Sequence, residues 1–340
     1  MSHRLSDRVA LKHGAGGPAM RALIEEVFVG ALAQPGPGVG LDAMDDGAVL
    51  PVGDQWLVLT TDSYVIKPLF FPGGDIGRLA VSGTINDLAM MGATRPLGLT
   101  CAVIIEEGFA RADLERIRDS LRAACAEAGA RIVTGDTKVM GKGELDGVVI
   151  NTAGVGLAER VVRDAGLRVG DRIIVTGTIG DHGFAVMAAR HDLHLEGPLA
   201  SDVAPLNGLV RAGLAAGQVV AMKDPTRGGV ASALTEMAGK AQVGIVLDET
   251  ALPVQPQVRA ASELLGVDPL HVANEGKALM GVRPESVERV LAALRAHPLG
   301  RAAAVIGTCV AERPGSIVLD TGFGRRLLAE PEGELLPRIC

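Results

Sequence analysis

The sequence predicts two α+β domains joined near residue 160. Three observations carry this. The chain has 340 residues, more than one small core organises and ordinary for two domains. Hydrophobic residues make up 48% and charged residues 21%, a globular balance that excludes wholesale disorder. Short apolar runs bounded by turn residues alternate with segments of helical period along the whole length. No internal repeat with a period of roughly 20–50 residues is visible, so a solenoid is excluded.

Residues 1–19 read as a polar, glycine-rich arm leading into a helix over 20–33 and a proline–glycine loop over 34–40. Strands are expected at 48–52 and 56–61, where apolar runs are short and end on turn residues. Over 75–93, Ile76, Leu79, Ala80, Ile85, Leu88 and Ala89 recur near helical spacing. A strand at 97–105, a helix over 111–128 and strands at 130–134 and 147–157 complete the first block. The charged turn Gly166-Leu-Arg-Val-Gly-Asp171 opens the second. There the pattern gives a strand at 172–176, helices over 184–189, 206–216 and 229–241, and a strand at 243–247. A helix over 256–265, a strand at 278–282, a helix over 285–296 and a strand at 303–311 follow. Met90, Met91 and Met187 are assigned to core. The expected division is therefore 1–160, 161–330 and a mobile tail over 331–340, where Pro331 and Pro337 discourage helix.

Composition narrows function. With six Phe, one Tyr, one Trp and a net charge of −7, the chain lacks the stacking and basic surface of a nucleic-acid reader. Glycine is in excess: 45 are present, where about 7% usage predicts roughly 24. Such glycines suit tight turns and close approach of backbone to a ligand. Cys101, Cys125, Cys309 and Cys340 form no CxxC pair, so neither a disulfide framework nor a zinc site is suggested and a reducing cytoplasm is expected. No apolar leader and no run of about 18 apolar residues occurs, so no membrane role is expected.

Four constellations could carry chemistry. Asp45, Asp46, Asp62, Asp87 and Asp136 fall at expected strand or helix edges. Converging, they would suit Mg²⁺, which takes a few carboxylates with phosphate oxygens; separately, they are solvated loop acids. Lys12, His13, Gly14, Gly16 and Gly17 combine free backbone N–H groups with cations, the chemistry of a phosphate lid. Asp224-Pro-Thr-Arg-Gly-Gly229 runs into an apolar-periodic helix, where Arg227 and Gly228 could clamp an anion. Neither stretch is a P-loop. Lys138 sits two residues beyond Asp136, and Asn274-Glu275-Gly276-Lys277 opens a strand. Beside a nucleotide, Lys138 could neutralise phosphate and Glu275 could act as a base; otherwise each is a surface ion pair. The chain ends on Cys340, either by chance or as a carrier thiol on an extended tail. Two features are set aside. Val175-Thr-Gly-Thr-Ile-Gly-Asp-His-Gly183 has GxxGxxG spacing, not the dinucleotide GxGxxG. His191 and His194 lack a third ligand and read as a polar helix end.

Taken together, nine stretches resemble the HypE family of hydrogenase maturation factors, in the aminoimidazole ribonucleotide synthetase-like ATP-binding superfamily. They are His13-Gly-Ala-Gly-Gly17, Asp45-Asp-Gly-Ala48, Thr61 to Gly74, Asn86-Asp-Leu-Ala89, Thr134-Gly-Asp-Thr-Lys138, Ile179-Gly-Asp-His-Gly183, Asp224 to Gly229, Asn274-Glu-Gly-Lys277 and Pro337-Arg-Ile-Cys340. The resemblance implies a two-domain fold whose N-terminal halves pair into a dimeric β-barrel, an α/β C-terminal domain and a flexible tail. It implies ATP and Mg²⁺ as cofactors, in a groove between domains. Lys12, His13, Gly14, Gly16, Gly17, Asp62, Asp87, Gly135, Arg227 and Gly228 would hold ATP, and Asp45, Asp46, Asp62, Asp87 and Asp136 the metal. Cys340, Glu275 and Lys138 would be catalytic. A HypF-type carbamoyltransferase would load the Cys340 sulfur, and ATP would drive dehydration of the S-carboxamide to a thiocyanate. The cyano group would pass to iron on a HypC–HypD-type complex for a [NiFe]-hydrogenase. Two rivals are a selenophosphate-synthetase-like kinase, disfavoured because no cysteine lies near the N-terminal glycine run, and a non-catalytic nucleotide-binding scaffold.

Overall fold

The computed structural model describes residues 8–193, 197–331, 333 and 338–340. The first block contains α1 (Pro18–Ile24), α2 (Gly30–Leu32), β1 (Ala48–Val52), β2 (Gln55–Tyr64) and the short pair β3 (Phe70–Phe71) and β4 (Gly74–Asp75). It continues with α3 (Ile76–Met90), β5 (Arg95–Glu106), α4 (Arg111–Ala128), β6 (Ile132–Met140) and β7 (Val148–Ala158). Its five-stranded sheet has the order β1-β2-β7-β5-β6, antiparallel except for the parallel β5–β6 pair.

The second block contains β8 (Arg172–Val175), α5 (Asp181–Arg190), α6 (Asn207–Ala216), β9 (Val219–Lys223), α7 (Gly229–Ala241) and β10 (Gly244–Asp248). Then come α8 (Pro256–Leu265), β11 (Leu279–Val282), α9 (Val287–Ala296), β12 (Ala304–Val310), β13 (Ile317–Asp320) and β14 (Arg325–Leu328). Its seven-stranded sheet runs β14-β13-β10-β12-β8-β11-β9, with only β10 and β13 parallel. The expected two-domain α+β architecture is present.

Helix α3 joins the blocks. Asp75 caps it, its Oδ1 accepting from the Gly77 and Arg78 amides at 2.8 and 3.0 Å. Thirteen of its 15 residues are buried, as expected of a helix that is apolar all round and covered on every side. Its middle packs on the first sheet with Tyr64 and Ile150, while Ala89 and Met90 share a core with Leu206, Leu209 and Met280 of the second block. Asn86, 1% exposed, fastens the junction: its amide donates to the carbonyls of Ala204 and Glu275, and its Oδ1 accepts from the Leu206 amide at 2.7 Å. Asn86→Leu strands those buried groups and is expected to cost about 2–4 kcal/mol, read from urea unfolding.

Several boundaries differ from the sequence expectation. The helix expected over 20–33 is a continuous helical run from Pro18 to Leu32 with a π turn over Glu25–Val29. Strand β2 continues to Tyr64 and β6 to Met140, so Asp62, Asp136 and Lys138 lie within strands rather than at their ends. Strands β9, β13 and β14 were not expected. The β9 segment Val-Val-Ala-Met-Lys ends in residues with no strand preference, and β13–β14 is an edge hairpin rich in charge. His194 lies outside the described residues. Among those described, no helix is long and apolar enough to cross a membrane.

Candidate active site between the two sheets

A cavity of about 830 Å³ opens between the blocks. The first block lines it with Gly16, Asp45, Asp46, Asp62 and Asp87, and the second with Lys223, Asp224, Arg227, Ser232 and Glu236. A larger concavity of about 1190 Å³ lies on the open face of the second sheet, but none of the sequence-selected residues reaches it.

The acids divide into two kinds. Asp45 is already engaged: Arg163 Nε lies 2.7 Å and Lys240 Nζ 3.0 Å from its carboxylate. Burial opposes its ionisation, yet these partners hold the carboxyl below its ordinary range. Asp46 bonds Lys223, which also reaches Glu236 at 3.4 Å. Asp87, Asp62 and Asp224 are poorly compensated. Burial, together with the charges of Asp224, Asp62 and Asp46, pushes Asp87 well above the carboxylate range; its Oδ2 lies 2.9 Å from the Thr60 hydroxyl. Asp62 is raised by burial and partly relieved by Arg227. Asp224 is pushed up to about 8 by burial and by Asp46, and its Oδ2 has no hydrogen-bond partner among the described side chains and backbone. Among the described residues no three His, Cys, Asp or Glu side chains could hold an ion by themselves. The residues do fit a divalent cation that brings other oxygen ligands, because such a charge would relieve acids that now raise one another.

This sets a pH dependence. Burial also raises Asp164, to about 7, and pushes Glu275 well above its usual value. A raised carboxyl favours the fold while protonated, so its contribution is complete near pH 4 and is lost as pH rises through its folded pKa. The ligand-free protein is therefore expected to lose thermal stability between about pH 5 and pH 8. Asp224→Asn should flatten that slope in scanning calorimetry.

The glycine-flanked loop opens onto the N-terminus of α7. Gly228 and Gly229 have φ of 80° and 63° and turn the chain into α7. A Cβ on Gly228 would come 2.2 Å from the Ser232 hydroxyl, so glycine keeps that helix end open. Arg227 donates to the Gly14 carbonyl at 3.4 Å, closing the N-terminal arm over the loop. Of the arm, only Gly16 lines the cavity. His13 is buried and its Nδ1 accepts from the Ala10 amide at 2.8 Å, a structural task, while Lys12 is exposed.

Glu275 is positioned by its neighbours. Asn274 Oδ1 accepts from the Gly180 amide at 2.8 Å and its Nδ2 donates to the Pro225 carbonyl at 3.1 Å, knitting two loops together. The Glu275 and Gly276 amides donate to Asp202, whose carboxylate also pairs with Lys277 at 3.1 Å. A side chain on Gly276 would meet the Asp202 carbonyl at 1.8 Å. Glu275 is 3% exposed, with Oε1 unpartnered among the described residues.

The terminal residues of the tail are seated on the first block and on α5. The Val65 amide donates to a main-chain carboxyl oxygen of Cys340 at 3.0 Å and the Lys67 amide to the Arg338 carbonyl at 3.2 Å, an antiparallel pairing. His182 Nε2 lies 2.8 Å from the Ile339 carbonyl. A carbonyl only accepts, so Nε2 carries the proton and Nδ1 accepts from Ser201, 2.8 Å away. Burial lowers the His182 pKa and keeps the ring neutral. Arg190 reaches the Arg338 carbonyl at 2.8 Å, and Arg338 pairs with Asp146. Residues 332 and 334–337 lie outside the described chain.

Gly135, Asp136 and Lys138 are not brought to the cavity by their own chain. Gly135 is level with Asp62 across β6, β5, β7 and β2, three strand spacings or roughly 14 Å away. Lys138 and Asp136 form an exposed pair at 3.4 Å. Sequence reasoning missed Lys223, Asp224, Ser232 and the tail-binding His182 and Arg190. Asp224 and His182 stood inside selected motifs; Lys223 lay on the unexpected β9.

The family model of the AIR synthase related protein N-terminal domain matches residues 44–158, and that of the C-terminal domain residues 168–320. The carbamoyl dehydratase HypE of Rhizobium leguminosarum bv. viciae is 51% identical over 338 residues, 98% of this chain and 95% of that protein. A hydrogenase maturation protein HypE solved in complex with ATP matches with TM-score 0.81 and 41% identity, covering 98% of this chain and 100% of that one. A chain of a HypE–HypF complex matches with TM-score 0.85 and 44% identity, over 91% and 100%. Identity at this level over nearly the whole length shows that the chain belongs to the AIR synthase related proteins and, among them, to the HypE carbamoyl dehydratases.

Proposed function

We propose that this chain uses ATP to dehydrate an S-carboxamide on Cys340 to a thiocyanate, supplying the cyano ligand for a [NiFe]-hydrogenase. The observation that carries the reading is the seating of Cys340 against Val65, three residues along the chain from Asp62 at the cavity. The amide oxygen is a poor leaving group. Transfer of the γ-phosphoryl group to it makes phosphate the leaving group; loss of both N–H protons then leaves the nitrile, with ADP and phosphate released. Arg227 and the amides at the start of α7 would bear on the polyphosphate, which fits the ATP-bound relative. Asp46, Asp62, Asp87 and Asp224 would hold Mg²⁺, which supplies charge neutralisation for the leaving groups.

Glu275 is the base in this reading. Burial holds its carboxyl well above the usual carboxylate range, so it binds a proton more readily than an exposed glutamate, while Arg227 favours its ionised form. The partners proposed are a HypF-type carbamoyltransferase, in line with the HypE–HypF complex, and a HypC–HypD-type iron carrier. A homodimer belongs to the reading as well. The first sheet leaves Leu59, Leu97, Val133 and Val139 between 37% and 70% exposed. A second copy there could deliver Gly135, Asp136 and Lys138, which their own chain holds away from the cavity. The setting proposed is cytoplasmic, where the four free cysteines stay reduced. The test is single-turnover phosphate release. The carbamoylated protein should release about one phosphate per chain and the unloaded protein almost none, whereas equal turnover would reject the reading.

A further inference from the structure

We propose that the seat of the last three residues is a peptide-binding site that acts in trans: it accepts a separate short peptide ending in Arg-Ile-Cys and presents its S-carboxamide for dehydration. This rests on the reaction proposed above but goes beyond it. A main-chain oxygen of each of residues 338–340 is held. Arg338 accepts from Lys67 and Arg190, Ile339 from His182, and Cys340 from Val65. This is strand addition, in which backbone bonds give affinity and side-chain pockets give selectivity. The selective element is Ile339, 4% exposed in the core cluster with Tyr64, Ile66, Phe71 and Ala273. Ala273, in that cluster, stands two residues before Glu275 in the chain. Arg338 adds its pairing with Asp146. Recognition is thus built from the three terminal residues and the fixed wall, and covalent attachment contributes only effective concentration, about millimolar for a short flexible link.

The full-length chain with an unseated, thiol-free tail, carrying Ile339→Asp and Cys340→Ala, is incubated with ATP, Mg²⁺ and N-acetyl-Pro-Arg-Ile-Cys. The peptide is first carbamoylated with cyanate, whose HNCO adds across the S–H bond. In the enzyme step the amide oxygen leaves in phosphate and both amide protons are released, so the peptide loses one water in mass while ATP becomes ADP and phosphate. Half-maximal rate is expected at roughly millimolar peptide. An Ile→Asp peptide should react at least tenfold more slowly. Cys340→Ala alone, whose own tail still fills the seat, should need about tenfold more peptide. That second variant also covers the case in which Ile339→Asp fails to fold. Fluorescence anisotropy of labelled, unmodified peptide gives a readout independent of turnover, and His182→Ala should weaken it at least fivefold. If the wild-type chain dehydrates its own loaded tail but neither variant binds or converts the peptide at 10 mM (about ten times the expected midpoint), the trans site is overturned alone. If the wild-type tail is not dehydrated either, the reading of the cavity falls with it.

Discussion

Glu275→Gln is expected to accept the carbamoyl group and bind ATP, yet dehydrate its tail roughly 10²–10⁴-fold more slowly, the range for removing a positioned base. The variant keeps the shape of the side chain and the backbone bonds to Asp202 and Asn86, so its fold should be intact. Replacing a buried acid that sits well above its ordinary pKa with a neutral amide should even remove some repulsion from Asp224 and Asp202. Single-turnover mass analysis separates this from a binding defect: loading proceeds, the carboxamide persists, and unfolding midpoints stay at or above wild type. The wild-type rate should rise with pH as Glu275 ionises, and the Gln variant should lose that limb. Wild-type dehydration by the variant would move the base elsewhere.

A mixture of Lys138→Ala and Cys340→Ala chains is expected to recover activity that neither has alone. Lys138 lies on edge strand β6, on the far side of the sheet from Asp62 in its own chain. If a second copy supplies it, each mixed dimer has one complete site: the seated Cys340 of one chain with the Lys138 of the other. Random mixing makes half the dimers mixed, so the preparation should reach about a quarter of wild-type turnover. No recovery, with mixed dimers verified by native mass, would return Lys138 to its own chain or remove it from the chemistry.

Much of this molecule was legible before its structure. The apolar residues recurring near helical spacing over 75–93 mark a helix, and that helix, Ile76–Met90, forms the junction between blocks. Asp62, Asp87, Arg227 and Glu275, chosen from motifs, do meet around one groove or adjoin it. Other features depend on long-range packing that local pattern does not encode. Lys223, on a strand the sequence pattern did not mark, neutralises Asp46 across the domain boundary, 177 residues away. Asp45 looks equivalent to Asp46, yet Arg163 and Lys240 engage Asp45 while Lys223 engages Asp46. His13 sits beside glycines, and its Nδ1 accepts from the Ala10 amide, a local bond that the motif does not announce. The tail was read as extended from its prolines, and its terminal residues are extended. That an antiparallel partner awaited them at Val65 and Lys67 depended on where β2 ends, a boundary the pattern placed three residues early.

The most direct test of the central claim is intact mass of the full chain after incubation with carbamoyl phosphate, a HypF-type carbamoyltransferase, ATP and Mg²⁺. A Cys340→Ala control runs beside it. The account predicts gain of one carbamoyl group on the wild type only, followed by ATP-dependent loss of one water from the same chain. Loading that is never followed by dehydration, or loading that persists in the Cys340→Ala chain, would contradict it.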